Sequence, residues 1–280
     1  MSVNIKEILT NFDPLNTNPL EIRATVDAML ENLCTLDEDT RENLLLPIFT
    51  RFIKGGHLPA TELSRVLDIC ASDDYLFFEI EKESDAVFKR ASSAVIISAL
   101  IDYNSRQSFI SVVKLDELVG RILLYLMREE DARSYVISGG WARAFTNGFD
   151  LLGSLVADSD VSASRFPDFL TAIESCLFKK MPFYNFETLG AAEVVRLMME
   201  RGMGLAHLST WTGQMIDRLN EFYDAKGFTH KFQSNFVNVS SFLRDLYFNF
   251  KKDSERIKLR VAIYADIKSL HKLEKKIRGC

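Results

Sequence analysis

The sequence predicts an all-α fold, an irregular HEAT- or armadillo-like array of helix pairs forming an α-α superhelix, and three observations carry that expectation. Apolar residues recur at steps of three and four through most of the chain, the period of one helix face, while strict alternation is scarce. Only 13 Gly and 6 Pro punctuate 280 residues, too few for the many turns of an all-β chain. Helix start and stop signals also fall at the ends of the periodic stretches.

Taken in order, the pattern predicts helices near 20–33, 38–54, 60–71, 85–103, 114–130, 140–157, 162–179, 186–202, 207–225, 230–251 and 255–278. Asp37-Glu38-Asp39 and Ser84-Asp85 place acidic groups at helix N-termini, where unpaired amides favour negative charge. Gly55-Gly56 and Gly227 follow basic last turns and supply the left-handed residue that ends a helix, and Pro59 opens the next one. In the last helix Ile257, Val261, Tyr264, Ile267, Leu270, Leu273 and Ile277 make one apolar stripe. Helix pairs recurring roughly every 40–50 residues match the period of solenoids. No Gly-, Pro- or Ser-rich linker divides the chain, so one helical-repeat-like domain over 1–280 is expected.

Composition narrows the class. Hydrophobic residues at 47% and charged residues at 26% are ordinary for a globular chain that buries its own core. Cys34, Cys70, Cys176 and Cys280 form no C-x-x-C pair, which points to a reducing compartment. The opening MSVNIKEILTNFD has no signal-peptide core, no stretch reaches about 18 apolar residues, and no lipidation box surrounds Cys280. The expected location is the cytoplasm, with no membrane partner.

Three segments, RENLLLPIFTRFI, SDAVFKRASSAVIISALI and DARSYVISGGWARAFTNGFDLLGSL, lie between about Arg41 and Leu155. They resemble a bacterial family of uncharacterised, helical, HEAT-like proteins known only as a domain of unknown function. The family pattern runs from an acidic residue through Tyr-Val and Gly-Trp to two His four residues apart and an Asp. Asp131, Tyr135, Val136, Gly140, Trp141 and Asp150 meet it, whereas Arg143 and Asn147 stand at the two His positions. The resemblance implies a fold and brings no activity. A His-x-x-x-His-x-x-Asp stripe can hold a metal; with Arg and Asn in place of the imidazoles it cannot, because guanidinium has no acceptor.

The segment Gly139 to Asp150 is nevertheless the best candidate site. On a continuous helix Arg143, Asn147 and Asp150 share one face, Trp141 forms a wall, and the amides after Gly139-Gly140 face an anion. The tentative ligand-binding residues are therefore Gly140, Trp141, Arg143, Asn147 and Asp150. The bland reading makes Trp141, Ala144, Phe145, Leu151 and Leu152 core, with Gly148 and Gly153 permitting close helix approach and Arg143 pairing with Asp150 as structure.

Other clusters carry less. Glu79, Glu81, Glu83 and Asp85 lack the spacing and Gly turn of a calcium loop. His57, His207, His230 and His271 form no ligand motif, and Gly202-Met203-Gly204 reads as a helix stop. No catalytic residue, metal or cofactor is expected. From Lys251 to Cys280 ten Lys/Arg face four Asp/Glu, a net +6 that leaves −11 for the rest of a −5 chain. Without interleaved aromatics this basic helix is a weak nucleic-acid footprint, and it reads as a solvated helix face or as a match to the acidic body of a second copy in a homo-oligomer. The Phe-rich run Phe228, Phe232, Phe236, Leu243, Tyr247 and Phe250 reads as core or as a partner groove. The expected function is a non-enzymatic protein-interaction scaffold. The alternative is a small polar or anionic ligand binder or enzyme around Trp141, Arg143, Asn147 and Asp150.

Overall fold

The computed structural model describes residues 5–11, 19–250 and 257–279. Within them the fold is all-helical apart from one short hairpin. Cys280 and the Lys251 to Arg256 part of the basic tail fall outside the described residues. The chain divides into two compact units, 1–161 and 162–280, each described by itself.

The first unit holds α1 (Ile5–Asn11), α2 (Pro19–Glu31), a π-helical stretch Asp39–Leu45 running into α3 (Leu46–Lys54), α4 (Ala60–Cys70), α5 (Ala86–Asn104), α6 (Val112–Arg128) and α7 (Ala144–Ala157). The hairpin strands β1 (Tyr135–Val136) and β2 (Gly140–Trp141) sit between α6 and α7. The signals read from sequence act as expected. Asp37 caps the π-helical start by accepting the Thr40 N–H at 3.2 Å, Pro59 precedes α4, and Gly56 turns the chain at φ +71°.

Helix α5 is the hub. Fifteen of its nineteen residues are buried, so it has no solvent face, as a helix surrounded by neighbours requires. It packs against α3, α4 and α7, while α6 packs on α7. Helices two apart in sequence thus lie side by side.

The second unit contains α8 (Phe166–Leu177), α9 (Glu187–Glu200), α10 (Leu205–Lys226), α11 (His230–Asn249) and α12 (Ile257–Arg278). Again α9 packs on α11 and α10 on α12, with α11 touching α8, α10 and α12. Phe232 is buried at the centre of a ring cluster with Phe222, Tyr223, Phe228 and Phe236; of the Phe-rich run Phe232, Leu243 and Phe250 are core, Phe236 and Tyr247 are half-buried and Phe228 is exposed. The buried Asn238 amide pins the loop after α8, donating to Leu177 O and Met181 O and accepting the Phe183 N–H at 2.7 Å.

Two expectations need correction. The helix expected from residue 140 begins at Ala144, because Gly140 and Trp141 pair with Val136 and Tyr135 across the hairpin. In α12 the buried face is Leu259, Ile263, Leu270 and Leu273, whereas Ile257, Val261 and Tyr264 of the expected stripe are exposed. Both sets have helical spacing, and α10 and α11 select between them.

Candidate functional site

The candidate segment folds as a hairpin clamped from below. Ala142 N–H donates to Ser134 O at 2.8 Å, Gly139 N–H donates to Val136 O at 3.1 Å, and Ile137-Ser138 form the tip. Both glycines are required by their surroundings. A Cβ on Gly139 would lie 2.6 Å from the Phe88 ring, and Gly140 has φ +81° with the Glu38 carboxyl where its Cβ would be. The inner side joins Val136, Ala142 and Ala144 to Val87, Phe88 and Ala91 of α5 in one apolar cluster.

Arg41 holds this arrangement in place. Its buried guanidinium lies 4.1 Å over the Phe88 ring and donates to Thr35 O, to Gly139 O at 2.6 Å and to Trp141 O at 3.2 Å. Glu42 receives its Nε–H at 3.1 Å. A planar fork of donors suits three carbonyls that converge from the turn at Thr35 and from the hairpin.

Beneath the hairpin, Arg90 and Glu129 form a fully buried two-pronged pair with bonds of 2.7 and 2.8 Å. Glu129 also accepts the N–H groups of Glu130 and Asp131, and Arg90 donates to Phe78 O. Asp131, buried, takes the Arg133 guanidinium at 2.6 Å, and Arg133 reaches Ser84 O. The acidic loop is tied to the same base: Glu81 pairs with Arg128, Glu83 lies 3.7 Å from Arg133, and Asp85 accepts the Ser138 hydroxyl at 2.8 Å. These carboxylates serve as internal ties.

The outer side differs. Tyr135 is exposed and meets Trp141 edge to face with centroids 5.3 Å apart, and the Arg143 guanidinium stands 5.1 Å over the Trp141 ring. Ile137, at the tip, is 99% exposed. Tyr135, Trp141 and Arg143 therefore adjoin one another on a hairpin whose tip carries a bare aliphatic side chain.

Arg143, Asn147 and Asp150 do not converge as the polar stripe expected of them. Arg143 precedes α7 in the left-handed conformation, φ +57°, and points toward Trp141 and Glu42, whose carboxylate is 3.8 Å away. Asn147 turns to α5 and donates to Ala91 O at 3.2 Å. Asp150 lies at the surface of α7, yet neighbouring protein desolvates it enough to raise its carboxyl above the usual range, an effect that Arg143 opposes. Gly140 and Trp141 belong to the hairpin, and Gly148 does allow close approach, since a Cβ there would meet Leu126. Sequence reading missed Glu38, Arg41, Tyr135 as a platform member, and Ile137. The Val-Ile-Ser-Gly-Gly run was the available turn signal.

Fold and site together define an all-helical protein that carries a clamped, aromatic-faced hairpin between α6 and α7. Residues 76–248 match the family model described as protein of unknown function (DUF2785), and the chain belongs to that family. The match starts after the first of the three resembling segments and runs on through α11. No curated protein and no solved structure matches the chain.

Proposed function

We propose that this protein is a non-enzymatic interaction scaffold that docks a protein partner on the outer side of the hairpin. The observation that carries the reading is the adjoining Tyr135, Trp141 and Arg143, with the fully exposed Ile137 at the tip, on a hairpin fixed by Arg41. Trp, Tyr and Arg are the residue types that dominate binding hot spots, and a pre-ordered surface avoids the entropy cost of ordering a loop on binding. The small-ligand alternative has weaker support, because the Asn147 amide is occupied by Ala91 O and Arg143 is shared between Trp141 and Glu42.

The HEAT-like superhelix is part of the same proposal, supported by the packing of α3 on α5, α5 on α7, α9 on α11 and α10 on α12. Bacterial origin rests on the family resemblance alone. A cytoplasmic setting draws support from the free thiols of Cys34, Cys70 and Cys176, the last two fully buried. No helix of the described residues is long and apolar enough to cross a membrane.

The test is affinity capture from the source cells with wild type and with Ile137→Asp, which changes only an exposed tip. The reading expects a discrete set of proteins retained by wild type and lost from the variant. Identical retention by both would remove the hairpin from the interaction.

A further inference from the structure

Within the second unit α8 rests on α9 and α11, while α10 rests on α11 and α12, and the space between α8 and α10 is left open. The result is a cleft of about 700 Å3, within the range of small-molecule sites. Its floor is apolar and aromatic: Phe166, Leu170, Met203 and Trp211 all line it and all are buried. The side chains at its edges, including Thr171, Ala206 and Thr210, are too short to fill the gap. The Gly202-Met203-Gly204 turn, where Gly202 takes φ +95°, brings Met203 into the floor.

Two features define what the cleft suits. Its ionisable lining residues are His207 and Glu174, and Glu174 is already neutralised by Arg218 at 2.7 Å, so the walls offer no net charge to an ionised ligand. The indole of Trp211 is 6% exposed, packs edge-on to Phe242, and its Nε1–H is buried without an acceptor among the described residues. Buried donors in folded proteins are nearly always paired, so an orphan N–H on a cleft-lining indole is a donor that a ligand acceptor can reach once the ring tilts.

We propose that this cleft binds a small, uncharged, largely apolar molecule that has a flat ring and one hydrogen-bond acceptor. The ring lies on Phe166, Leu170, Met203 and Trp211, and the acceptor takes the Trp211 N–H after a small tilt of the indole. The site is independent of the hairpin reading and uses none of its residues.

The experiment titrates the full chain with 6-propionyl-2-(dimethylamino)naphthalene, a neutral ring ketone whose emission moves to the blue in apolar surroundings. Saturable one-to-one binding is expected. Ala206→Phe, at an exposed position of α10, should weaken it by at least about tenfold by filling the cleft. Trp211→Phe should weaken the ketone about tenfold more than it weakens 2-(dimethylamino)naphthalene, which lacks the carbonyl and loses only ring contact. The proposal is overturned by an absence of saturable binding, by full retention in Ala206→Phe, or by equally tight binding of the anion 1-anilinonaphthalene-8-sulfonate. Equal weakening of both naphthalenes in Trp211→Phe would also overturn the role of the indole N–H. If Trp211→Phe fails to fold, Ala206→Phe and the anion comparison still decide.

Discussion

The guanidinium of Arg41 donates to the carbonyl oxygen of Gly139 at 2.6 Å, across 98 residues of sequence. That bond joins the π-helical entry to α3 with the turn of a hairpin, and with Trp141 O and Thr35 O it leaves the buried guanidinium well partnered. Arg41→Ala strips the donors from three carbonyls, at about 1–3 kcal/mol for each one left unmet. The expected outcome in urea unfolding is a loss of roughly 3 kcal/mol or more, with faster amide exchange in the hairpin than in α5. Arg41→Lys should recover little, because an ammonium cannot reproduce the planar fork.

Gly140→Ala places a side chain at φ +81° and into the Glu38 carboxyl. Strain of that kind costs on the order of 1–3 kcal/mol. A lower thermal midpoint is expected, together with a change in near-ultraviolet dichroism as Trp141 shifts. The double variant Gly140→Ala, Glu38→Ala should regain part of the loss, since it clears the collision and leaves the backbone strain and the loss of the long 3.4 Å bond from Trp141 N–H to Glu38.

Glu129→Ala removes the carboxylate that pairs with Arg90, with both groups fully buried. Breaking one side of a buried pair typically costs about 3–5 kcal/mol. Chemical unfolding should show that loss, and a Glu129→Ala, Arg90→Met double variant should be more stable than Glu129→Ala alone.

Asp37 provides the pH prediction. Its hydrogen bond from Lys6 and those from Thr40 hold its carboxyl at about 2, below the ordinary value. A depressed carboxyl stabilises the fold above its unfolded pKa, and that contribution is lost as pH falls from near 4 toward 2. A carbon-detected titration should find the low value in wild type and a value moved back toward the ordinary range in Lys6→Ala. Because the pair is exposed and screened by salt, little change in neutral-pH stability is expected.

Much of the helical framework was legible because amphipathic period, caps and glycine stops are local signals. Gly55-Gly56, Pro59, Gly227 and the α8 to α11 patterns acted where the sequence placed them. The hairpin was hidden because each strand has two residues, too short for alternation to register, and because Ala144, Phe145, Phe149 and Leu152 extend a helical period that reads backward through Gly140. The face chosen by α12 depends on α10 and α11, and no feature of its own sequence distinguishes Leu259 and Ile263 from Val261 and Tyr264. Of the site, Trp141 and Arg143 were found by residue type. The clamp was not, because Arg41 and Glu38 meet the hairpin only through tertiary structure.

The central claim is that the hairpin presents a docking surface. A photo-cross-linking p-benzoylphenylalanine placed at position 137 in cells tests it most directly, with the same group at the exposed Leu20 as control. The account predicts a discrete protein adduct from position 137 that is absent from position 20 and diminished by Trp141→Ala. Adducts indistinguishable between the two positions, or none at 137, would contradict it.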